Sequence, residues 1–256
     1  MSTQSPRHTI PAQRQQEILR AVRSGSTHVS DLAASFGVSE MTVRRDLRAL
    51  ARDGRLERVR GGAVNATSER PFDEIVVERL EAKDRIGAAA AAQVQDGQTV
   101  MIDIGTTTLQ AARHLRGRKI TVVTTSLAVY EELVPDPDIE LILPGGLVRR
   151  NYRSLVGVLA ESSLRQLKAD LLFLGTSAVD TEFGVWDTTM VEVPIKRAMI
   201  DAAERVTLLA DIEKFSMGGL VRVCEADAID EIITDGPLPD ACGPAVADGG
   251  IAVTIG

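Results

Sequence analysis

Arg44, Arg45, Arg48 and Arg52 recur within one stretch of 3.6-residue periodicity, whose apolar positions Val43, Leu47 and Leu50 fall on the other side. A guanidinium is a planar fork of donors. It fits phosphate oxygens and the O6/N7 edge of guanine, so this spacing offers recognition of double-stranded DNA in the major groove. Met41 shares the arginine side, Thr42 flanks it, and Ser39 stands where a helix N-cap belongs. Arg58 and Arg60 follow shortly after. The competing reading is a solvated helix face.

A second set of chemistry-bearing residues lies further along, at the ends of short apolar runs. These are Asp103 with Gly105, Thr106 and Thr107; Thr125 with Ser126; Gly145 with Gly146; Gly175 with Thr176 and Ser177; and Asp211 with Lys214. They supply hydroxyls and backbone amides at helix starts, two carboxylates and one ammonium. Such a set suits a small, hydroxyl-rich anion, a phosphorylated sugar. Phosphate is expected near Thr106, Thr107, Thr125 and Ser126, with Lys214 as a point charge and Asp103 and Asp211 accepting from sugar hydroxyls. Taken singly, each has a plainer reading: a Gly-Thr-Thr turn and cap, a Gly-Gly loop, a surface lysine paired with Asp211 or Glu213. Five such ends in one sheet form the stronger pattern.

The elements that must hold these residues follow from local patterns. Ser30 and Asp31 open a short helix with Leu32, Ala33 and Phe36 apolar. Gly37 makes a tight turn, and a second helix runs from Glu40 to about residue 53, ended by Gly54. Residues 56–64 read as a hairpin turning at Gly61-Gly62, a wing. Charge agrees: residues 1–65 hold eleven Arg and no Lys against six Asp plus Glu, a balance of +5. The whole chain carries −7, so the remainder carries −12, and DNA would repel all but the head.

Beyond residue 95, strand-like runs at 99–102, 120–124, 139–143, 170–174, 206–210, 231–234 and 251–255 alternate with helical stretches at 107–115, 126–133, 155–167 and 191–205. Continuous apolar strands between helices imply a mainly parallel sheet covered on both faces, with ligands beyond the carboxyl ends of the strands. Residues 73–95 read as one long helix or a helix pair, with Ile75, Leu80, Ile86 and Val94 able to pack on the body.

Ser39-x-x-Thr42-Val43-Arg44-Arg45-Asp46-Leu47, followed by Arg58-Val59-Arg60-Gly61-Gly62-Ala63, resembles the DNA-binding head of the DeoR/GlpR transcription regulators. Asp103-x-Gly105-Thr106-Thr107, Gly145-Gly146, Gly157, Gly184, Glu192 with 196–200, and Asp211-x-x-Lys214-Phe215 resemble landmarks of that family's effector domain, similar in fold to ribose-5-phosphate isomerase. The resemblance covers nearly the whole chain. Arg60 stands where the family often has His, and Thr125 where it commonly has Asn. The resemblance implies an effector site formed by Asp103, Gly105, Thr106, Thr107, Thr125, Ser126, Gly145, Gly146, Glu192 and Lys214. Lys196 and Arg197 are read as a basic helix face, and Arg149, Arg150 and Arg153 as a solvated loop or one closing over an anion.

The organisation expected is therefore a disordered tail at 1–12 and a small α/β winged helix-turn-helix domain at 13–66. A connector helix region at 67–95 and an effector-sensing α/β domain at 96–256 follow. The function expected is a sequence-specific regulator, a repressor of carbohydrate-metabolism genes that responds to a phosphorylated sugar. Its partners would be double-stranded DNA, that effector and further copies of itself as a dimer or tetramer, because one head makes too few contacts for tight binding. Two cysteines without ligand spacing and three scattered histidines exclude a zinc site or a His-based triad, so no metal, cofactor or catalytic residue is expected. There is no apolar targeting segment or membrane-length run, which points to the cytoplasm and no membrane partner. The alternative is a sugar-phosphate isomerase with an accessory head, using Glu192 as base with Asp180 or Asp211 nearby.

Overall fold

The computed structural model describes residues 14, 15, 17, 18, 27–52, 57–59, 62–64 and 71–256. The expected tail 1–12, Gly54, Arg60, Gly61 and the boundary stretch 67–70 lie outside the described residues. The chain divides into two compact units, Met1–Glu69 and Arg70–Gly256.

In the first unit, β1 (Thr27–His28) leads into α1 (Val29–Phe36), α2 (Glu40–Arg52), β2 (Glu57–Val59) and β3 (Gly62–Val64). Gly37 takes φ +62°, and the Val38 amide donates to the Ala33 carbonyl at 3.1 Å, closing the end of α1. Ser39 then caps α2, its hydroxyl accepting from the Thr42 amide at 3.2 Å. β2 and β3 pair antiparallel as the wing, and β1 joins them on the β3 side. Ile18, Val29, Leu32, Val43, Leu47 and Leu50 make the small core. Within it Asp46 accepts from Arg14 Nε at 2.6 Å, a buried ion pair.

In the second unit, the connector is a helix pair, α3 (Phe72–Ile75) and α4 (Leu80–Ala91). They are separated by a turn in which Arg79 takes φ +50°. The chain continues through β4 (Thr99–Ile102), α5 (Thr106–His114), β5 (Thr121–Thr124), α6 (Leu127–Leu133) and β6 (Glu140–Ile142). Next come β7 (Leu147–Arg149), β8 (Ser154–Val156), α7 (Val158–Leu164), β9 (Leu171–Gly175), β10 (Ala178–Val179) and β11 (Val185–Asp187). The last elements are α8 (Val193–Ala202), β12 (Val206–Leu209), a 3-10 turn at Ile212–Ser216, β13 (Val221–Cys224), β14 (Glu231–Thr234), α9 (Gly243–Gly249) and β15 (Ala252–Ile255).

All seven expected strands join one parallel sheet in the order β15-β14-β12-β9-β4-β5-β6. Side-chain alternation sends Met101 to a core under α7 and α8, and Val100 and Ile102 to a core under α4, α5 and α6. One expectation is corrected. The helix placed at 155–167 begins only at Val158, because Gly157 takes φ +94° and Ser154–Val156 pairs with Leu147–Arg149 as a hairpin. A small antiparallel sheet, β10-β11-β13, was also unforeseen. No described helix is long and apolar enough to cross a membrane.

The packing of α4 on α5 depends on Gly87. A Cβ there would lie 2.6 Å from the Ala111 amide nitrogen and from the Gln110 carbonyl carbon. Both are backbone atoms that cannot rotate away, so Gly87→Ala is expected to destabilise the second unit by about 1–3 kcal/mol through overpacking, read by urea unfolding. An unchanged midpoint would mean the helices separate without cost.

The sheet order places the site. From β4 the chain moves outward to β5 and β6, then returns across β4 to β9 and continues the other way. The order therefore reverses between β4 and β9, whose carboxyl ends are Asp103 and Gly175. Open α/β sheets bind ligands beyond such a switch point.

Candidate functional site

On α2, the apolar positions face the core, while Met41 is 73% exposed and Arg45 and Arg48 are exposed as well. Ser39 is exposed, and Thr42 and Arg44 are partly so. Arg44 also pairs with Glu40 at 3.2 Å one turn back, an exposed i,i+4 pair worth only a few tenths of a kcal/mol. Arg52 ends α2 and Arg58 lies in β2; Arg60 is outside the described residues. The helix thus presents Ser39, Met41, Thr42, Arg44, Arg45 and Arg48 away from the small core, as a major-groove helix requires.

At the switch point, Asp103 Oδ2 accepts from the Gly175 amide at 3.0 Å and from the Lys196 ammonium. Lys196 also donates to the Gly175 carbonyl at 2.9 Å and lies 3.6 Å from Asp187. The reading of Lys196 as surface charge is therefore corrected: it is 2% exposed. Burial alone would depress this ammonium, but Asp103, Asp187 and Glu192 outweigh it and hold the group above the usual lysine range. The spacing contained the signal. Lys196 lies one turn beyond Glu192 and next to Ile195 and Met199, on the buried side of α8. Arg197 does lie partly outside, donating to the Val223 and Arg222 carbonyls.

Glu192 is 0% exposed and precedes α8. Its Oε1 accepts from Ser154 Oγ at 2.6 Å and from the Arg149 guanidinium. Burial pushes the Glu192 carboxyl upward, against the pull of Ser154, Arg149 and Lys196. Ser154 in turn bridges Ser126, and the Leu155 amide donates to the Thr125 carbonyl at 2.9 Å. Asp103, Lys196, Glu192, Ser154 and Thr125 are thereby linked in one contiguous run of contacts. Sequence reasoning missed Ser154 and Asp187, which carry no motif of their own.

α5 starts beside Asp103. Its N-cap Gly105, at φ +148°, provides no side-chain cap, so the first amides of Thr106, Thr107 and Thr108 have no partner of their own within the helix. Asp103 Oδ1, Thr125 Oγ1 and Glu192 Oε2 are buried and have no hydrogen-bond partner among the described residues. Gly146 allows close packing, since a Cβ would lie 2.9 Å from the Val156 carbonyl; Gly145 is exposed with open space beside it.

Ser126, Asp211 and Lys214 sit in specific local settings. Ser126 uses its hydroxyl oxygen to cap α6 through the Val129 amide at 3.3 Å, and its own amide goes to Thr124 Oγ1 at 3.0 Å, so the amide is engaged while the hydroxyl keeps its O–H donor. Asp211 is held by Arg79 at 3.4 Å and by the Glu213 amide at 3.1 Å, so it is occupied rather than offered to sugar hydroxyls. Arg79 also takes Glu213 at 2.8 Å and Asp235; Lys214 is half-exposed on the 3-10 turn, and among the described residues it makes no ion pair, so the plainer surface-pair reading of it does not hold there. Of the three loop arginines, Arg149 reaches Glu192, Arg153 reaches Glu131 and Asp73, and Arg150 is exposed.

A helix-turn-helix with a wing, joined to a parallel α/β unit whose ligand-type residues meet at a switch point, defines a ligand-responsive DNA-binding regulator. Residues 14–69 match the DeoR-like helix-turn-helix domain and 78–236 the DeoR C terminal sensor domain. Similar proteins include the HTH-type transcriptional regulator GlpR of Haloferax volcanii, 37% identical over 96% of this chain and 98% of its own. The putative aga operon transcriptional repressor of Escherichia coli O157:H7 is 35% identical over 91% and 89%. The glycerol-3-phosphate regulon repressor of Escherichia coli K12 is 32% identical over 89% and 92%. Among solved structures, ribose 5-phosphate isomerase A from Methanocaldococcus jannaschii is similar over 54% of this chain and 55% of its own, at 15% identity and a TM-score of 0.41. The chain belongs to the DeoR family of transcriptional regulators.

Proposed function

We propose that this chain represses carbohydrate-metabolism genes from the cytoplasm, binding operator DNA through α2 and the wing, and is relieved by a phosphorylated sugar or polyol at the β4/β9 switch point. The observation that carries the effector half is the set of buried oxygens without partners among the described residues, Asp103 Oδ1, Glu192 Oε2 and Thr125 Oγ1, together with the uncapped start of α5 just after Asp103. Each buried polar atom left unsatisfied costs about 1–3 kcal/mol, which a hydroxyl-rich ligand relieves. Phosphate fits the amides of Thr106 and Thr107, and the carboxylates accept from hydroxyls. Gly105, Gly145 and Gly146 shape the approach, Lys214 supplies outer charge, and Ser126 contributes by fixing α6. Two or more copies bring heads to repeated half-sites.

The isomerase alternative lacks its acid–base set. Asp180 spends its carboxylate on the Glu182 and Gly184 amides and on Trp186 Nε1, and Asp211 is held by Arg79. Glu192 has Oε1 engaged by Ser154 and Arg149, and neither Asp180 nor Asp211 is left to join it as a second acid–base group.

The decisive experiment selects genomic fragments with purified full chain at moderate salt, where phosphate-only binding is suppressed. A few discrete sites with repeated half-sites are expected, and uniform retention would sink the regulator reading. On such a site Arg45→Ala is expected to cost about 1–3 kcal/mol, with little loss on random DNA. Equal loss on both would make Arg45 a phosphate contact only. Calorimetric titration with sn-glycerol 3-phosphate, ribose 5-phosphate and fructose 6-phosphate tests the effector half, with Asp103→Asn expected to abolish the heat.

A further inference from the structure

The hairpin β7–β8 touches two places. Its strands are built into the candidate effector site. Arg149 and Ser154 both donate to Glu192, and the Leu155 amide donates to the Thr125 carbonyl. Its tip grips the start of α3, three residues beyond the end of the first unit at Glu69. There the Phe72 amide donates to the Asn151 carbonyl at 2.9 Å. The Tyr152 ring meets the Phe72 ring edge-on, with centroids 5.8 Å apart at 89°. The Arg153 guanidinium lies 5.7 Å from the Phe72 ring centroid and 3.6 Å from Asp73. Phe72 is 1% exposed, so this grip is an anchor rather than a passing surface contact.

We propose that this hairpin reads occupancy of the effector site and passes it to the segment leading into the DNA-binding unit, with Arg149 as the residue that senses the ligand. The proposal rests on the phosphorylated-sugar reading of the site. Glu192 has no exposure, and Arg149 and Ser154 cover it, so a ligand that bonds its free Oε2 must displace or recruit them. An anionic ligand that reaches Glu192 competes with it for the Arg149 guanidinium. β7 and β8 pair along their whole length, with Arg149 opposite Ser154 at the tip end, so a shift at Arg149 is carried to Asn151–Arg153 and loosens Phe72. Arg153, at the hairpin tip, takes φ +55°, a left-handed conformation uncommon for a residue with a Cβ. Coupling requires that the ligand prefer one of the two hairpin positions, and a guanidinium exchanging a carboxylate for a phosphate supplies that difference.

Hydrogen exchange in the full-length protein tests the link without any ligand. Arg149→Gln is expected to speed exchange of the Phe72 amide about tenfold while Ala111, inside α5, stays unchanged. Ser154→Ala, which removes the second donor to Glu192, is expected to act in the same direction. Unchanged exchange at Phe72 in both variants overturns the proposal. Tyr152→Ala provides the converse arm. It is expected to leave the binding heat of sn-glycerol 3-phosphate, ribose 5-phosphate or fructose 6-phosphate at its wild-type value, yet abolish the effect of that compound on operator affinity. Retention of a wild-type response by Tyr152→Ala also overturns the link. Absence of heat with wild-type protein counts against the phosphorylated-sugar reading alone, because the exchange arm decides the hairpin by itself.

Discussion

Lys196→Met is expected to destabilise the second unit by about 3–5 kcal/mol, because it leaves a buried carboxylate without its counter-charge. Methionine keeps the length and apolar stem of the side chain, so packing changes little and the loss is electrostatic. Asp103 is 1% exposed and Asp187 is buried beside it, so neither carboxylate gains water when the ammonium goes. The Gly175 carbonyl loses its donor as well. In a unit of this size the midpoint of thermal unfolding is expected to fall by about 6–20 °C, at roughly 2–4 °C per kcal/mol. Adding Asp103→Asn to Lys196→Met separates charge from packing. Asparagine keeps an acceptor for the Gly175 amide and removes the stranded charge, so most of the lost stability returns, to within about 1–2 kcal/mol of wild type. Effector binding is not expected to return with it. If the single variant unfolds like wild type, Lys196 is not the internal counter-ion of the site and the surface reading stands after all.

Asp46→Ala is expected to unfold the first unit while leaving the second intact. The Arg14–Asp46 pair is buried at 2.6 Å, and removing one partner of such a pair costs about 3–5 kcal/mol. A core of the size built from Ile18, Val29, Leu32, Val43, Leu47 and Leu50 rarely supplies more than about 3–5 kcal/mol in total. Operator binding should then fall by more than about 100-fold, since most molecules lack a folded head at any moment. Calorimetry should show the transition of the second unit unmoved. The contrast with Arg45→Ala is the control. Asp46 lies on the buried side of α2 and Arg45 on the exposed side, so the first acts through folding and the second through contact. Arg14→Met with Asp46→Leu should recover a folded head, because an apolar pair of similar volume is often as stable as a buried ion pair. Failure of the double variant to fold would assign Asp46 a role beyond the pair.

The head was legible because its signals are local. Gly37, Ser39 and the spacing of Val43, Leu47 and Leu50 specify turn, cap and buried face within a dozen residues. The seven strands were legible for a related reason: each is a short apolar run, the inner ones buried on both faces, and that composition does not depend on which neighbour it finds. The short strands β7, β8, β10 and β11 were not legible, since two or three residues carry no period. Of the candidate site, Asp103, Gly105, Thr106 and Thr107 were found as a motif at a strand end. Ser126 and Asp211 were found too, though not the contacts they make: Ser126 Oγ accepts from the Val129 amide, and Asp211 Oδ1 meets Arg79 and the Glu213 amide.

By itself, then, the sequence determined which elements form, that they alternate into a parallel sheet, that the head is basic and the body acidic, and that polar chemistry gathers at strand ends. Periodicity, capping and charge are properties of neighbouring residues, so one chain suffices to read them. Only the tertiary structure decided the strand order that places the switch point between β4 and β9. It alone brought Lys196 onto Asp103 across 93 positions, Arg149 onto Glu192 across 43, and Arg79 onto Asp235 across 156. Whether a charge is a solvated face or a buried counter-ion depends on what burial places beside it. That partner is chosen by packing and not by spacing along the chain.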